Sequence, residues 1–212
     1  MGWLGGAILV IAAYLVGAIP WGVVLGRAFA GVDVRQYGSK STGATNALRV
    51  LGKKFSIAVL VLDMAKGVLP VVIGRVLGLP DWAVGLAAIA GVAGHCWSPY
   101  IGFTGGKGVA TGGGAAVALF PWLLLLFPVM VVIIAVTRYV SLASIVAAAL
   151  GLIASLVTAA AGHLPWWWAM GVAVIAIIIV YRHRSNISRL LSHTENKFGA
   201  RVSTSAESTT TK

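Results

Sequence analysis

The chain holds one cysteine, Cys96, in 212 residues, so no disulfide can form within it and its redox setting is not written in its cysteines. Charge is almost as scarce. Only 10% of residues are charged, and the five acids, Asp33, Asp63, Asp81, Glu195 and Glu207, are dispersed. They form no carboxylate pair, and His and Cys form no cluster at metal-ligand spacing. No metal and no cofactor are therefore expected, and a metal-dependent phosphotransferase or a nucleotide hydrolase is disfavoured. The period-2 alternation of an outer-membrane barrel is missing as well, which leaves helices as the only spanning element.

What the chain has in abundance is apolar sequence. It is 59% hydrophobic with a mean hydropathy of +0.95, the composition of an integral membrane protein. Apolar runs fall at residues 3–26 (interrupted by Pro20), 55–79, 82–97, 109–120, 122–137, 142–161 and 166–181. A bilayer core of about 30 Å needs about 20 such residues per helix, so the runs predict an all-α bundle of about seven transmembrane helices. The run at 109–120 is short and breaks at Pro121. The first run exceeds a signal-peptide core. Pro20 should kink its helix and free a carbonyl that neighbours must satisfy.

Orientation follows from the cations. With the N-terminus outside and the C-terminus cytoplasmic, every Lys and Arg except Lys66 and Arg75, which lie within the second run, falls on the inner side. The outer turns near Pro80, Pro121 and Gly162 hold only Asp81 as a charge. This strong positive-inside bias places all chemically capable stretches on one face. The formal charge of +11 is thus accounted for by topology, and no nucleic-acid partner is expected. Residues 1–198 read as one transmembrane domain. Residues 199–212, rich in Ser and Thr, read as a disordered tail.

Four inner segments carry the candidate chemistry. Residues 98–114, SPYIGFTGGKGVATGGG, combine backbone freedom at glycine with one cation, Lys107, and the hydroxyls of Thr104 and Thr111. A glycine loop centred on a lysine and followed by a helix suits an anion. It is not a Walker loop, because neither the spacer nor the Ser/Thr after the lysine is present. Gly112 to Gly114 read equally well as helix-packing residues. Residues 38–49, GSKSTGATNALR, offer Ser39, Thr45, Asn46 and Arg49, with Thr45 or Asn46 placed to cap a helix. The bend at residues 137–141 contributes Ser141 beside Arg138. Residues 182–197, RHRSNISRLLSHTENK, read as a basic amphipathic helix suited to anionic lipid, with His183 and Asn186 on one face. Asp63 and Lys66, also three apart, are predicted to pair, since a lone charge in a span costs about 2.5–3.5 kcal/mol or more. His95, at the end of an apolar run, reads alone as structural.

Together these segments resemble the bacterial acyl-phosphate:glycerol-3-phosphate acyltransferase family. The resemblance rests on residues 38–49, 94–111 and 182–197, in order and between matching spans. The His-x4-Asp signature of other acyltransferases is absent: none of the four histidines has an acid five positions on. One departure is His193, where the family commonly has glycine. The resemblance implies acyl transfer from a fatty acyl phosphate to the sn-1 hydroxyl of glycerol 3-phosphate. The products are 1-acyl-glycerol-3-phosphate (lysophosphatidate) and phosphate, the donor is neither acyl-CoA nor acyl carrier protein, and the setting is the bacterial inner membrane with a cytoplasmic-side site. It implies catalytic roles for Lys107, His183 and Asn186. Substrate binding would use Ser39, Thr45, Asn46, Arg49, His95, Thr104, Gly105, Gly106, Gly108 and Ser141 as well. On residues alone, a transporter or channel for phosphate-like anions competes; it would need a polar path to the outer face.

Overall fold

The computed structural model describes residues 2–199; the expected disordered tail lies outside these, apart from Gly199. Ten α-helices follow one another among the described residues: α1 (Gly2–Gly17), α2 (Trp21–Ala30), α3 (Ala44–Leu51), α4 (Lys53–Val76), α5 (Asp81–Cys96), α6 (Val109–Leu119), α7 (Leu126–Thr137), α8 (Val140–Ala160), α9 (Trp166–Arg182) and α10 (Arg184–Leu191). Short 3-10 turns sit at Val34–Gln36, Pro99–Ile101 and Pro121–Leu125. No strand forms among the described residues beyond an isolated bridge between Ser98 and Thr104.

Each apolar run became helix, since a helix satisfies every backbone group internally. Three stretches are long and apolar enough to cross a membrane: Gly2–Ala30, Lys53–Val76 and Val140–Ala160. The segment α9–α10, bent by 56°, makes a fourth if taken as one span. Helices α5 and α6 and the segment Pro121–Thr137 are shorter apolar helices. Ile8, Leu69, Val132, Val157 and Ile177 are exposed, apolar side chains suited to lipid.

Packing centres on α5, which contacts α1, α4, α6 and α9. Close approach is made by absent side chains. A Cβ at Gly17 would strike the Gly91 carbonyl and one at Gly94 the Tyr14 carbonyl, so α1 and α5 meet backbone to backbone. Helices α4 and α6 meet the same way through Gly67 and Gly114. Of the three consecutive glycines, Gly114 packs on Met64 and Gly112 on Ile175, whereas Gly113 has open space around it.

The first run is broken at residues 18–20, between α1 and α2, as Pro20 requires. The freed carbonyls find donors from elsewhere in the bundle: Ser98 Oγ donates to Ala18 O at 2.6 Å and Lys66 Nζ to Ile19 O at 2.8 Å. Lys66 also lies 2.9 Å from Asp63, the predicted pair. Arg75, the other cation within a span, donates to Ala118 O at 2.7 Å and stacks 4.8 Å over the Trp168 ring.

Candidate active site

A cavity of about 620 Å³ opens where α3, α4, the loop before α6, α8 and α10 converge. Its polar lining includes Ser39, Arg49, Lys107, Ser141, His183 and Asn186. Its apolar wall is built by Leu48, Ile57, Leu60, Met130 and Ile134. Thr45, His95 and Gly108 also line it. A smaller basin of about 220 Å³ adjoins, bordered by Lys40, Gly105, Arg182, Arg184 and Ser185 and sharing Ser39, Ser41 and Lys107 with the cavity. Segments far apart in sequence therefore meet, and Arg49, Lys107 and His183 share one void.

The loop before α3 is shaped by Asn46. Its side chain is 1% exposed; Nδ2 donates to Val34 O and Ser41 O at 2.8 Å each, and Oδ1 accepts from Ser39 N at 2.9 Å. The predicted helix cap is thus corrected: Gly43 is the N-cap and no side chain caps it. Asn46, inside the helix and lining the cavity, directs its recorded side-chain hydrogen bonds to the loop that presents Ser39. Upstream, Arg35 beside Asp33 holds that carboxyl far below the ordinary range, despite burial, with Arg27 contributing. Arg35 also reaches across to Ile101 O at 3.3 Å.

In the glycine loop, Gly102 and Phe103 adopt left-handed φ of +71° and +54° and Gly108 one of +82° at the start of α6. Arg182 clamps the loop from α9, donating from Nε to Gly106 O and from Nη2 to Gly105 O at 3.1 Å each. Two expectations change here. Thr104 does not line either void; its hydroxyl donates to Ile101 O at 2.7 Å, closing the turn. The Gly106 N–H is engaged by His95 O at 3.1 Å, so of the four amides expected as donors at residues 105–108, those of Gly105, Lys107 and Gly108 remain.

Lys107 Nζ donates to Asn186 Oδ1 at 2.7 Å. No acid lies within ion-pairing distance of it among the described residues, and burial, with help from Arg189, Arg49 and Arg182, pushes its ammonium down to about 8 against the pull of Glu195. His183 is 2% exposed and sits at the bend between α9 and α10 rather than inside one helix with Asn186. Burial, reinforced by Lys107, pushes it down to about 4. The ring is thus neutral near pH 7, with the Nδ1–H donating to Ile179 O at 2.8 Å and Nε2 left with a lone pair.

Glu195 is the residue sequence reasoning missed. Its carboxylate accepts from Asn186 Nδ2 at 2.6 Å, Ser141 Oγ at 2.8 Å and Arg189 Nε at 2.8 Å. Burial raises its carboxyl, yet these three donors outweigh burial and hold it below the usual range. A chain therefore runs from Glu195 through Asn186 to Lys107. No local spacing announces it, because the partners lie 6, 9 and 54 residues away. The predicted amphipathic helix over 182–197 ends at Leu191 instead. His193 has φ +57°, the left-handed turn that sends Glu195 back into the cavity, and a conformation that favours glycine.

The sequence signature described as glycerol-3-phosphate acyltransferase matches residues 7–193. The chain belongs to the glycerol-3-phosphate acyltransferase family. Its relatives include the glycerol-3-phosphate acyltransferase of Fusobacterium nucleatum, 45% identical over 89% of this chain and 96% of the relative. Another, from Geobacter sulfurreducens, is 44% identical over 91% of this chain and 97% of the relative. Among solved structures, PlsY (YgiH), an integral membrane glycerol 3-phosphate acyltransferase in its glycerol 3-phosphate form, matches with a TM-score of 0.84 and 42% identity over 92% of this chain and 96% of that one. The lysophosphatidic acid form matches with a TM-score of 0.82. The family is an acyltransferase family of the membrane, and the apolar helices agree.

Proposed function

We propose that the chain transfers a fatty acyl group from an acyl phosphate to the sn-1 hydroxyl of glycerol 3-phosphate, forming lysophosphatidate and phosphate. One observation carries the reading most: two voids lined by cations and hydroxyls meet at Ser39 and Lys107, beside an apolar wall. Two phosphorylated substrates need two anion spaces held close together, and a fatty chain needs the wall. The cavity is large enough for both kinds of contact.

In this reading Ser39, Arg49 and Lys107 grip phosphate, with Arg49 supplying planar charged donors. His183, Asn186 and Ser141 orient glycerol 3-phosphate, and Thr45 shapes the wall. Neutral His183, through Nε2, accepts a hydrogen bond from the attacking hydroxyl and fixes its direction. That oxygen adds to the acyl carbonyl carbon, and the amides of Gly105, Lys107 and Gly108 meet the developing oxyanion. The carbon–oxygen bond to phosphate then breaks. A side chain held near pKa 4 is a weak base, so the proton of the hydroxyl passes to the leaving phosphate. An acyl phosphate is an activated mixed anhydride; positioning alone supplies up to about 7–11 kcal/mol, and the route calls for no cofactor. We further assign about seven crossings, with the shorter α5, α6 and α7 as spans, the N-terminus outside and the site on the cytoplasmic side of a bacterial inner membrane, on the strength of the cation distribution.

The test is purified protein with glycerol 3-phosphate and palmitoyl phosphate. Equimolar phosphate and lysophosphatidate are expected. Product formed only from palmitoyl-CoA, or none from either donor, would overturn the assignment.

A further inference from the structure

Three buried ionisable groups take no part in the proposed reaction. Asp63 is 1%, Lys66 3% and His95 5% exposed. They adjoin one another, with Asp63 in the middle. Lys66 holds the Ile19 carbonyl at the break of the first span and lies 2.9 Å from Asp63 Oδ1. The same oxygen lies 3.7 Å from His95 Nδ1, an electrostatic approach longer than a hydrogen bond. The far side of that ring, at Nε2, abuts Gly106 so closely that a methyl group there would overlap the imidazole, and His95 O receives the Gly106 N–H. Gly106 directly precedes Lys107.

Packing alone does not call for this arrangement. A buried ion pair is commonly replaceable by apolar residues of similar volume without loss of stability. Groups with fixed directions, by contrast, set the position of whatever they touch. What they touch here, at one end, is a broken helix and, at the other, the loop that presents the phosphate-gripping lysine.

We propose that Asp63, Lys66 and His95 form a brace between the break in the first span and the glycine loop, and that His95 is a positioning residue for Lys107 rather than a substrate ligand. The brace deepens the reading of Lys107 as a phosphate-binding group. It explains why residue 106 is glycine although its backbone is not in the left-handed region: the imidazole occupies the space of a side chain.

A double-mutant cycle on Gly106→Ala and His95→Ala in the full-length detergent-purified protein tests it. The readouts are kcat and KM for both substrates, calorimetric binding of glycerol 3-phosphate, and thermal unfolding. Against native His95, the Gly106 methyl should displace the loop and lower kcat/KM by about 100-fold, the scale of a 1 Å misplacement. In the His95→Ala background the same methyl has room and should lower it by less than about tenfold. Unfolding should stay cooperative in all four proteins. Equal losses in both backgrounds would overturn the brace. If His95→Ala does not fold, His95→Asn, which also vacates the space beside Gly106, replaces it with the same two outcomes. Asp63→Asn combined with His95→Ala should be no worse than either alone; multiplied losses would also overturn the proposal. Native protein that neither binds glycerol 3-phosphate nor turns over would instead fail the functional reading.

Discussion

Two lysines, one buried on α4 and one half-buried before α6, meet opposite fates. Lys66 is 3% exposed and faces the Asp63 carboxylate at 2.9 Å. Lys107 faces the neutral Asn186 carbonyl oxygen at 2.7 Å. An ammonium taken out of water needs compensation. Lys66 finds it within the protein and ties helices together. Lys107 is surrounded by Arg49, Arg182 and Arg189 with only Glu195 attracting it from a distance, so in the proposed reading its compensation arrives with a phosphate. A charge paired within the protein holds structure; one left without a counter-ion suits an anionic ligand.

Breaking the comparison at its structural side should have the largest effect. Lys66→Met strands the Asp63 carboxylate and frees the Ile19 carbonyl, which should cost about 3–5 kcal/mol of stability, measured by thermal unfolding. Restoring balance with Asp63→Asn in the same chain should recover much of that loss. Lys107→Ala should do the reverse: stability kept or raised, with kcat/KM down by about 100-fold to 1,000-fold, measured with both phosphorylated substrates. An equally active Lys107→Ala protein would remove the phosphate grip.

Glu195→Gln sharpens the same contrast. The amide presents an extra donor to Arg189, Asn186 and Ser141, so about 2–3 kcal/mol of stability should be lost and KM for glycerol 3-phosphate should rise as Asn186 and Lys107 shift together. The smallest effect concerns the turn behind it. His193→Gly relieves a left-handed backbone at φ +57°, offset by the greater chain freedom of unfolded glycine, for a gain of up to about 1 kcal/mol, read as a rise in unfolding temperature with unchanged KM.

The apolar runs were legible because membrane-length hydrophobicity overrides local propensity, and every run appears as helix. The Asp63–Lys66 pair was legible from its i,i+3 spacing and the expense of a lone intramembrane charge. The inner motifs stood out as polar islands in an apolar chain, and the cavity gathers Ser39, Arg49, Lys107, Ser141, His183 and Asn186 from all of them. Their division of labour was not legible. Asn46 and Thr104 look like ligands in sequence because both are polar and loop-adjacent, but their donors are absorbed by nearby carbonyls. Glu195 looked like one scattered acid because its partners come from α8 and α10. His95 looked isolated because Asp63 and Gly106 reach it only through the packing of α4 on α5 and the fold of the loop.

The central claim is that the Lys107 charge is kept uncompensated for phosphate, and the pH dependence of kcat/KM measures it most directly. Its ammonium is held down to about 8, so the cation is present below that pH and lost above it. For the native protein, kcat/KM should fall about tenfold per pH unit above pH 8, whereas Lys107→Arg, which stays charged, should lose that limb even if its rate is lower throughout. The same alkaline fall in both proteins would contradict the account.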